Sequence, residues 1–388
     1  MKNDHAYFMS KTDLLIVFLF CLLVSCEKVS NVANPLDQAL ASENIKIKRV
    51  IDSLDQYEVQ IKFTQINRDN DSIIFKDYDF QVDDNNYFYP ASTVKFPIAV
   101  LAMQKLNQLD SLNKDTRFYI EGDTVETTFA ADVSKIFAVS DNQANNRLLE
   151  FLGQDAINRN LKQKGISPVR LSHRLSTENA DEITTKPLII YLNDSTTAAL
   201  EGSINTSPKP LDINKIEKGI GYIAEDSLML EPFSFALKNY YPINAQHAVL
   251  KRIIFPEAFS ENERFNLNDV QKKLILEAMH TLPKKIGYDR IEYYDSYVKF
   301  FMFGDSKEEI PEHIKIYNKV GYAYGTLTDC AYIVDSKNKV EFMLTATILV
   351  NKNDIFNDNI YEYDDIGIPF LAELGREIYS FELNKGRK

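Results

Sequence analysis

Three strand patterns follow one another in residues 317–350, which read YNKVGYAYGTLTDCAYIVDSKNKVEFMLTATILV. The apolar runs predict strands over 317–324, 329–334 and 340–350, with a turn at Ser336-Lys337-Asn338. A second strand pair is predicted far upstream, over 58–67 and 73–80. Strands clustered by hairpins favour an antiparallel sheet over a βαβ repeat. The two groups could therefore close one sheet from the two ends of the chain.

The residues between the two strand groups contain helical patterns. Apolar residues recur at three- and four-residue spacing over 91–109, 131–139 and 145–152. A closing helix is predicted from the stripe of Leu371, Leu374 and Ile378. We therefore expect an α+β fold, with a five-stranded antiparallel sheet flanked by helices and a helical subdomain.

The composition is that of an ordinary globular protein. Of 388 residues, 45% are hydrophobic and 26% are charged. The net charge of −12 argues against nucleic-acid binding, which needs a basic surface. Three cysteines, two of them in the first 26 residues, exclude a disulfide-stapled scaffold. The five histidines lack metal-ligand spacing, so we expect neither a metal nor another cofactor.

The N-terminus is predicted to be a targeting segment. The apolar run 14–24 is too short to span a membrane and lies where a secretory signal would. It leads into Leu23-Val24-Ser25-Cys26, which resembles the bacterial lipobox; the alternative is an uncleaved anchor helix with an incidental cysteine. We expect a signal peptide over 1–25, a lipidated Cys26 with a tether to residue 40, and a folded domain over 41–388. The protein would then be exported and anchored to a bacterial membrane, facing the periplasm or the cell surface.

Ser92-Thr93-Val94-Lys95 is a Ser-x-x-Lys element. If a helix begins near Ser92, Lys95 lies one turn later on the same face and can take the hydroxyl proton. The helix N-terminus would also stabilise developing negative charge. The pattern recurs at Ser25, Ser111, Ser296 and Ser336. Only Ser92 follows a strand pair and opens a long apolar helix.

Two further motifs follow in the chain. Ser140-Asp141-Asn142 occurs once and lies between helices; taken alone, it is best read as a helix N-cap. Lys319-Val320-Gly321 lies in a predicted strand. A rival, Lys285-Ile286-Gly287, is not followed by a comparably clear strand pair.

In this order and placement, the three motifs resemble those of the penicillin-recognising serine enzymes, and more narrowly the class A β-lactamase family. The resemblance extends from the first strand pair to the final helix and implies a β-lactamase/transpeptidase-like fold. It implies that Ser92 attacks a carbonyl and becomes acylated, and that Lys95 helps to remove its proton. Ser140 would relay a proton to the leaving nitrogen.

The resemblance also implies a set of substrate-binding groups. Asn142 would hold Lys95 and the substrate amide, and Lys319 would attract a substrate carboxylate. The backbone N–H groups of Ser92 and Tyr322 would form the oxyanion hole, while Gly321 lets substrate approach the strand edge closely. Val320 replaces the usual Thr or Ser, which removes one hydroxyl that could bind the carboxylate.

The loop after Ser-Asp-Asn departs from the family. Class A enzymes have Arg-x-Glu-x-x-x-Asn there, and this Glu activates the hydrolytic water. Alignment on Arg174 puts Ser176 at the Glu position, and alignment on Arg170 puts Ser172 there; neither is a base. Glu178 lies two residues later and could serve as the base if the loop is rebuilt. Its alternative is a solvated loop acid.

Three other features of the sequence are not expected to take part in the chemistry. His173 is expected to be structural, and Cys330 is expected to be a packed small hydrophobe. The stretch of about 203–268 exceeds what a minimal class A enzyme needs. It is predicted to be an elaborated helical subdomain or a lid over the site.

The resemblance thus predicts a serine hydrolase of the class A β-lactamase type that opens a β-lactam through a Ser92 acyl-enzyme. Because the loop Glu is missing, a penicillin-binding D-Ala-D-Ala carboxypeptidase or an esterase-like acyl enzyme is the alternative. A non-catalytic envelope sensor is the alternative from another class. The expected partners are a β-lactam or peptidoglycan-like peptide and the membrane, without nucleic acid, and the protein is expected to be a monomer.

Overall fold

The elements below are those of residues 34–69 and 72–385, which the computed structural model describes. The strands are β1 (Gln60–Asp69), β2 (Ser72–Phe80), β3 (Arg117–Ile120), β4 (Thr127–Thr128), β5 (Leu188–Asn193), β6 (Thr196–Leu200), β7 (Glu217–Lys218), β8 (Gly221–Ala224), β9 (Ser227–Met229), β10 (Phe233–Ser234), β11 (Ile314–Ala323), β12 (Thr326–Asp335), β13 (Val340–Leu349) and β14 (Ile355–Phe356). The α-helices are α1 (Pro35–Leu40), α2 (Ile45–Ile51), α3 (Leu54–Tyr57), α4 (Lys95–Leu106), α5 (Phe129–Ala138), α6 (Asn142–Leu152), α7 (Gln154–Gln163), α8 (Ile243–Ile254), α9 (Asp269–His280) and α10 (Ile368–Lys385).

The predicted five-stranded sheet is confirmed. Its order is β11-β12-β13-β1-β2, and every neighbouring pair is antiparallel. The two ends of the chain meet where β1 pairs with β13, with Gln60 opposite Thr347. The β11–β12 hairpin is tighter than expected, because Tyr324 and Gly325 both adopt positive φ and make a two-residue turn. Strand β11 is an edge of this sheet.

Helices cover both faces of the sheet. On one face α1, α2 and α10 form a core with the sheet, in which Leu36, Ile47 and Leu371 are fully buried. On the other face α8 packs on β1, β12 and β13, and the core there continues into the helical region of α4–α7 and α9. Cys330 belongs to this second core and accepts a hydrogen bond from Thr345 Oγ1 at 3.3 Å. It is a packed side chain, as predicted.

The prediction that the tether continues to residue 40 is wrong for residues 35–40. Residues Pro35–Leu40 form helix α1, which packs against α10. Leu36 anchors this helix in the core, so the folded part of the chain includes residues from Pro35 onward. The predictions for residues 1–25 and for Cys26 lie outside the described residues. Among the residues the structure describes, no helix combines the length and apolarity that a membrane crossing would need.

The helical interpretation of 203–268 is correct only for its second half. Helix α8 lies in that half, whereas the first half contains the short strands β7–β10 between residues 217 and 234. Strand β7 pairs with β10, while β8 pairs with β9 and β14. These strands surround an aromatic cluster of Tyr87, Tyr89, Phe235, Tyr240 and Phe356. The cluster lies under one wall of the cavity described next.

Candidate active site

The candidate nucleophile lies in a tight turn before α4. Ser92 belongs to a 3₁₀ turn over Ala91–Val94, and the α-helix begins at Lys95 rather than at Ser92 as predicted. The turn is closed by Thr93, whose hydroxyl donates to the Pro90 carbonyl oxygen at 2.7 Å. Ala91 has φ 47°, a left-handed conformation that is costly for a residue with a Cβ and is concentrated at functional sites. Ser92 itself is half-buried and lines the cavity.

The Lys95 amine is fully buried at the centre of the site. Its Nζ donates to the backbone carbonyl oxygen of Ser140, to Ser140 Oγ at 3.2 Å and to Asn142 Oδ1 at 2.6 Å. Burial lowers the pKa of Lys95 to about 7, although the nearby Asp141 carboxylate opposes the shift. Near neutral pH a large fraction of the side chain is therefore the neutral amine, which can accept a proton.

Ser140-Asp141-Asn142 serves as a helix cap and as part of the site. Asp141 is the N-cap of α6 and accepts a hydrogen bond from the Ala144 N–H at 2.7 Å. Ser140 just before it has φ 57°, which turns the chain between α5 and α6. Ser140 Oγ thereby lies within hydrogen-bonding distance of two amines, since Lys319 Nζ donates to it at 2.8 Å. The hydroxyl is well placed to relay a proton.

Strand β11 supplies the opposite side of the site. Lys319 is buried, and its pKa lies well below the usual value because of burial and the proximity of Lys95. Gly321 follows, at the point where β11 comes closest to the turn that carries Ser92. A Cβ there would lie 2.7 Å from Ser92 N and 2.8 Å from Pro90 O, so the strand touches the nucleophile turn. Tyr322 and Ser92 both line the cavity.

Val320 does not face the cavity. Its side chain is 2% exposed and packs in the core between the sheet and the terminal helices. A hydroxyl at this position would therefore point into the core and not into the cavity. The expectation that Val320 weakens carboxylate binding is not supported by this geometry.

A buried charged network behind Lys319 was not predicted from the sequence. Lys299 Nζ donates to Asn318 Oδ1 at 2.6 Å and to the Met279 carbonyl oxygen at 2.7 Å, and Asn318 Nδ2 donates to Asp329 Oδ1 at 2.8 Å. Burial lowers the pKa of Lys299 and raises that of Asp329. Lys299 is the lysine of the Ser-x-x-Lys copy at Ser296, which therefore has a structural role.

The loop after α7 is held by a buried ion pair. Arg174 contacts both carboxylate oxygens of Glu150, at 2.6 and 2.9 Å, and also donates to the carbonyl oxygens of Glu182 and Thr184. Both side chains of the pair are almost completely buried. Of the two serines that the alignments put at the family's Glu position, Ser176 lines the cavity and Ser172 does not. Ser176 Oγ accepts a hydrogen bond from Asn142 Nδ2 at 3.0 Å.

The other loop residues have different positions. Arg170 donates to the carbonyl oxygens of Ala236 and Lys238, and Ser172 is buried with its hydroxyl donating to the Leu237 carbonyl oxygen at 3.1 Å. Glu178 is exposed and does not line the cavity. The structure does not bring Glu178 to the site. Its expected role as deacylating base is corrected accordingly.

These residues surround a cavity of about 500 Å³. Ser92, Asn142, Ser176 and His173 form one part of its wall. The rest is rich in aromatic side chains, which the sequence analysis did not single out: Tyr89, Tyr322, Tyr324, Tyr361 and Tyr363. Lys238 lies at the wall and forms an ion pair with Asp181 at 3.6 Å. Within the described residues, no cluster of His, Cys, Asp and Glu side chains could hold a metal ion.

The fold and the site define a class of protein in which Ser-x-x-Lys, Ser-Asp-Asn and Lys-x-Gly meet at the edge of an antiparallel sheet. The family model of the β-lactamase enzyme family matches residues 45–208. A class A β-lactamase from Bacteroides cellulosilyticus DSM 14838 has the same fold, with 13% identity and a TM-score of 0.50 over 91% of this chain and 99% of that chain. The chain therefore has the β-lactamase/transpeptidase-like fold, and its residues 45–208 match the β-lactamase enzyme family.

Other comparisons add no functional detail. A β-lactamase from Sphaerobacter thermophilus DSM 20745 aligns with 12% identity and a TM-score of 0.46, over 88% of this chain and 94% of that chain. No curated protein matches the sequence.

Proposed function

We propose that the protein is a serine hydrolase of the class A β-lactamase type, acylated at Ser92 by a β-lactam. The observation that supports this most directly is the position of Ser140 Oγ between the Lys95 and Lys319 amines, beside the Ser92 turn. Neutral Lys95 takes the Ser92 proton as Oγ attacks the carbonyl carbon. The backbone N–H groups of Ser92 and Tyr322 stabilise the oxyanion. Ser140 then passes a proton to the leaving nitrogen.

A second candidate function is acyl transfer with slow turnover, as in a D-Ala-D-Ala carboxypeptidase or an esterase-like enzyme. Ser176 favours it, because this hydroxyl lines the cavity beside Asn142, and no carboxylate of the described residues does. Both candidates share the Ser92 acyl-enzyme. They differ in how long that intermediate lasts.

The test is intact-protein mass spectrometry of the full chain after mixing with benzylpenicillin. We expect a mass gain equal to one penicillin, which is lost in Ser92→Ala. Ser111→Ala is the matched control, since Ser111 also precedes a lysine by three residues but is exposed and does not line the cavity. It should acylate like the wild type. An adduct on Ser92→Ala, or none on the wild type with penicillin or 4-nitrophenyl acetate, contradicts the proposal.

We further propose that the protein is exported and lipid-anchored through Cys26. The support is the short apolar run that ends in Leu23-Val24-Ser25-Cys26. Labelled palmitate should be incorporated into the wild type but not into Cys26→Ser. Cys21→Ser is the matched control and should keep the label. Equal labelling of both variants contradicts the proposed anchor.

A further inference from the structure

The wall of the cavity carries positive charge without a balancing acid. Two cationic side chains, Arg174 and Lys238, line it, and no Asp or Glu of the described residues does. The Arg174 side chain is 1% exposed, and its three nitrogens donate to Glu150 and to backbone carbonyl oxygens. Its charge is therefore already used inside the protein. Lys238 is the cation of this wall that remains available to a ligand.

The Lys238 side chain is accessible and weakly held. It is 26% exposed, and its Nζ lies 3.6 Å from an Asp181 carboxylate oxygen, which is too long for a hydrogen bond. Asp181 is 70% exposed, so water screens this ion pair and a ligand can displace it. The backbone at Lys238 is fixed, because its carbonyl oxygen accepts a hydrogen bond from Arg170. The amine therefore offers free donors from a fixed position.

Aromatic side chains surround this part of the wall. Tyr89, His173 and Tyr324 line the cavity with Lys238. The Tyr89 ring stacks on His173, with centres 6.2 Å apart, and meets Tyr324 edge-on at 5.0 Å. Burial raises the pKa of Tyr324, and the Asp181 carboxylate raises it further, so the hydroxyl keeps its proton and can donate. This hydroxyl has no hydrogen bond to a described residue.

The proposed function determines which part of a substrate reaches Lys238. Ser140 passes a proton to the leaving nitrogen, so the leaving group lies against Ser140 and the Lys319 amine bonded to it. Neither of these residues lines the cavity, whereas Ser92 and Lys238 both do. The cavity is therefore the space for the acyl part of the substrate, on the carbonyl side of the bond that breaks.

We infer that Lys238 binds a carboxylate on the acyl part of the substrate, with the Tyr324 hydroxyl as a second donor. This inference rests on the proposed function and names the substrate class: acyl groups that carry a negative charge. The Lys238 ammonium exchanges Asp181 for the substrate carboxylate, and the chemistry at Ser92 is unchanged. Lys238 thus determines specificity, and its role is separate from that of Lys319.

The test compares two penicillins that differ by one carboxylate. Carbenicillin carries it on the α-carbon of its phenylacetyl group, where benzylpenicillin has a hydrogen. The second-order rate of adduct formation is measured by intact-protein mass on the full chain. We expect Lys238→Met to slow acylation by carbenicillin about 10-fold, the contribution of one hydrogen bond between charged groups, and to change that by benzylpenicillin under about 2-fold. Lys238→Arg keeps the charge and should stay close to the wild type with both.

The matched control is Lys251→Met. Lys251 has a similar ion pair, with Asp77 at 3.8 Å, and is similarly exposed at 18%, but it does not line the cavity. This variant should acylate like the wild type with both penicillins.

Asp181→Asn gives a change in the opposite direction. It removes the carboxylate that competes for Lys238, so acylation by carbenicillin should become about 2–5-fold faster, as for loss of an exposed ion pair. The rate with benzylpenicillin should not change. A lysine with a purely structural role predicts no such gain, and its absence would count against the inference.

The outcomes separate the two proposals. If neither penicillin forms a Ser92 adduct on the wild type, the proposed function fails and the inference fails with it. If adducts form but Lys238→Met slows both penicillins equally, the lysine does not distinguish the acyl carboxylate, and only the inference is overturned. An unchanged carbenicillin rate in Lys238→Met, or acylation of the wild type by benzylpenicillin alone, also overturns it.

Discussion

Gly321 permits the contact between β11 and the nucleophile turn, and its replacement by alanine should strongly reduce acylation at Ser92. The new Cβ would lie 2.7 Å from Ser92 N, 2.8 Å from Pro90 O and 2.9 Å from Thr93 N. Ordinary contacts of a Cβ begin at 3.4 Å, so all three separations are too short by about half an ångström or more. All three atoms are backbone, and no side chain can rotate away to relieve the clash.

The magnitude follows from the movement that relief requires. Strand and turn must separate by roughly 0.7 Å, and a displacement of about 1 Å in a reacting geometry costs about 10²-fold in rate. Loss of one oxyanion-hole donor costs about 10²–10³-fold. We therefore expect Gly321→Ala to acylate about 10²-fold more slowly. Its free energy of unfolding should fall by about 1–3 kcal/mol, as for other overpacked sites.

The assay is the time course of adduct mass, with urea unfolding measured in parallel. Gly375→Ala provides the control, because its Cβ would lie 2.6 Å from Met302 N in the packing of α10 away from the cavity. This variant should lose comparable stability but acylate at the wild-type rate. If Gly321→Ala acylates as fast as Gly375→Ala, the close approach of β11 does not set the geometry of the site.

Three further predictions concern the base, the loop and the strand. Because burial lowers the pKa of Lys95 to about 7, the acylation rate should rise with pH through about 7 and level off once the amine has lost its proton. A rate measured by stopped flow that stays constant from about pH 6 to about pH 8 would count against this. Arg174→Met leaves Glu150 charged and buried, so the free energy of unfolding in urea should fall by about 3–5 kcal/mol. Lys273→Met breaks the exposed pair with Glu277 and should lower it by under about 1 kcal/mol. Equal losses in the two variants would refute the role of burial. Val320→Thr should leave the acylation rate unchanged, because the new hydroxyl would be buried away from the cavity. The same burial should reduce the free energy of unfolding by about 1–3 kcal/mol. Faster acylation would show that the side chain reaches the substrate.

The sheet and the motif residues could be predicted because they have strong local signals. Strands β12 and β13 are ten residues long and buried along almost their whole length, and each contains a run of apolar and β-branched residues that predicts a strand. The order of the three motifs along the chain then predicted which residues form the site. Ser92, Lys95, Ser140, Asn142 and Lys319 do come together, although their separations along the chain carry no distance information by themselves.

The remaining structure depends on contacts that have no local signal. Strands β7 to β10 are two to four residues long and carry exposed apolar side chains, such as Leu228 at 51% and Met229 at 39%, so no alternation of buried and exposed residues marks them. The Arg174–Glu150 pair joins a loop to α6, and neither residue indicates its partner. Helix α1 is only six residues long and is stabilised by packing on α10, which the sequence around Pro35 does not reveal.

The pairing of β1 with β13 also bears on how the protein folds. Gln60 must find Thr347, and the Ser92 turn must find Gly321, across most of the chain. Such non-local contacts slow folding, because the entropy of closing a long loop is lost before the contact is gained. Helices α4 to α7 can assemble from nearby residues, so a chain still being synthesised can hold the serine and its lysine in place early. Strand β11 is synthesised much later, so a chain that stops before it would carry Ser92 and Lys95 without the strand that contacts the Ser92 turn.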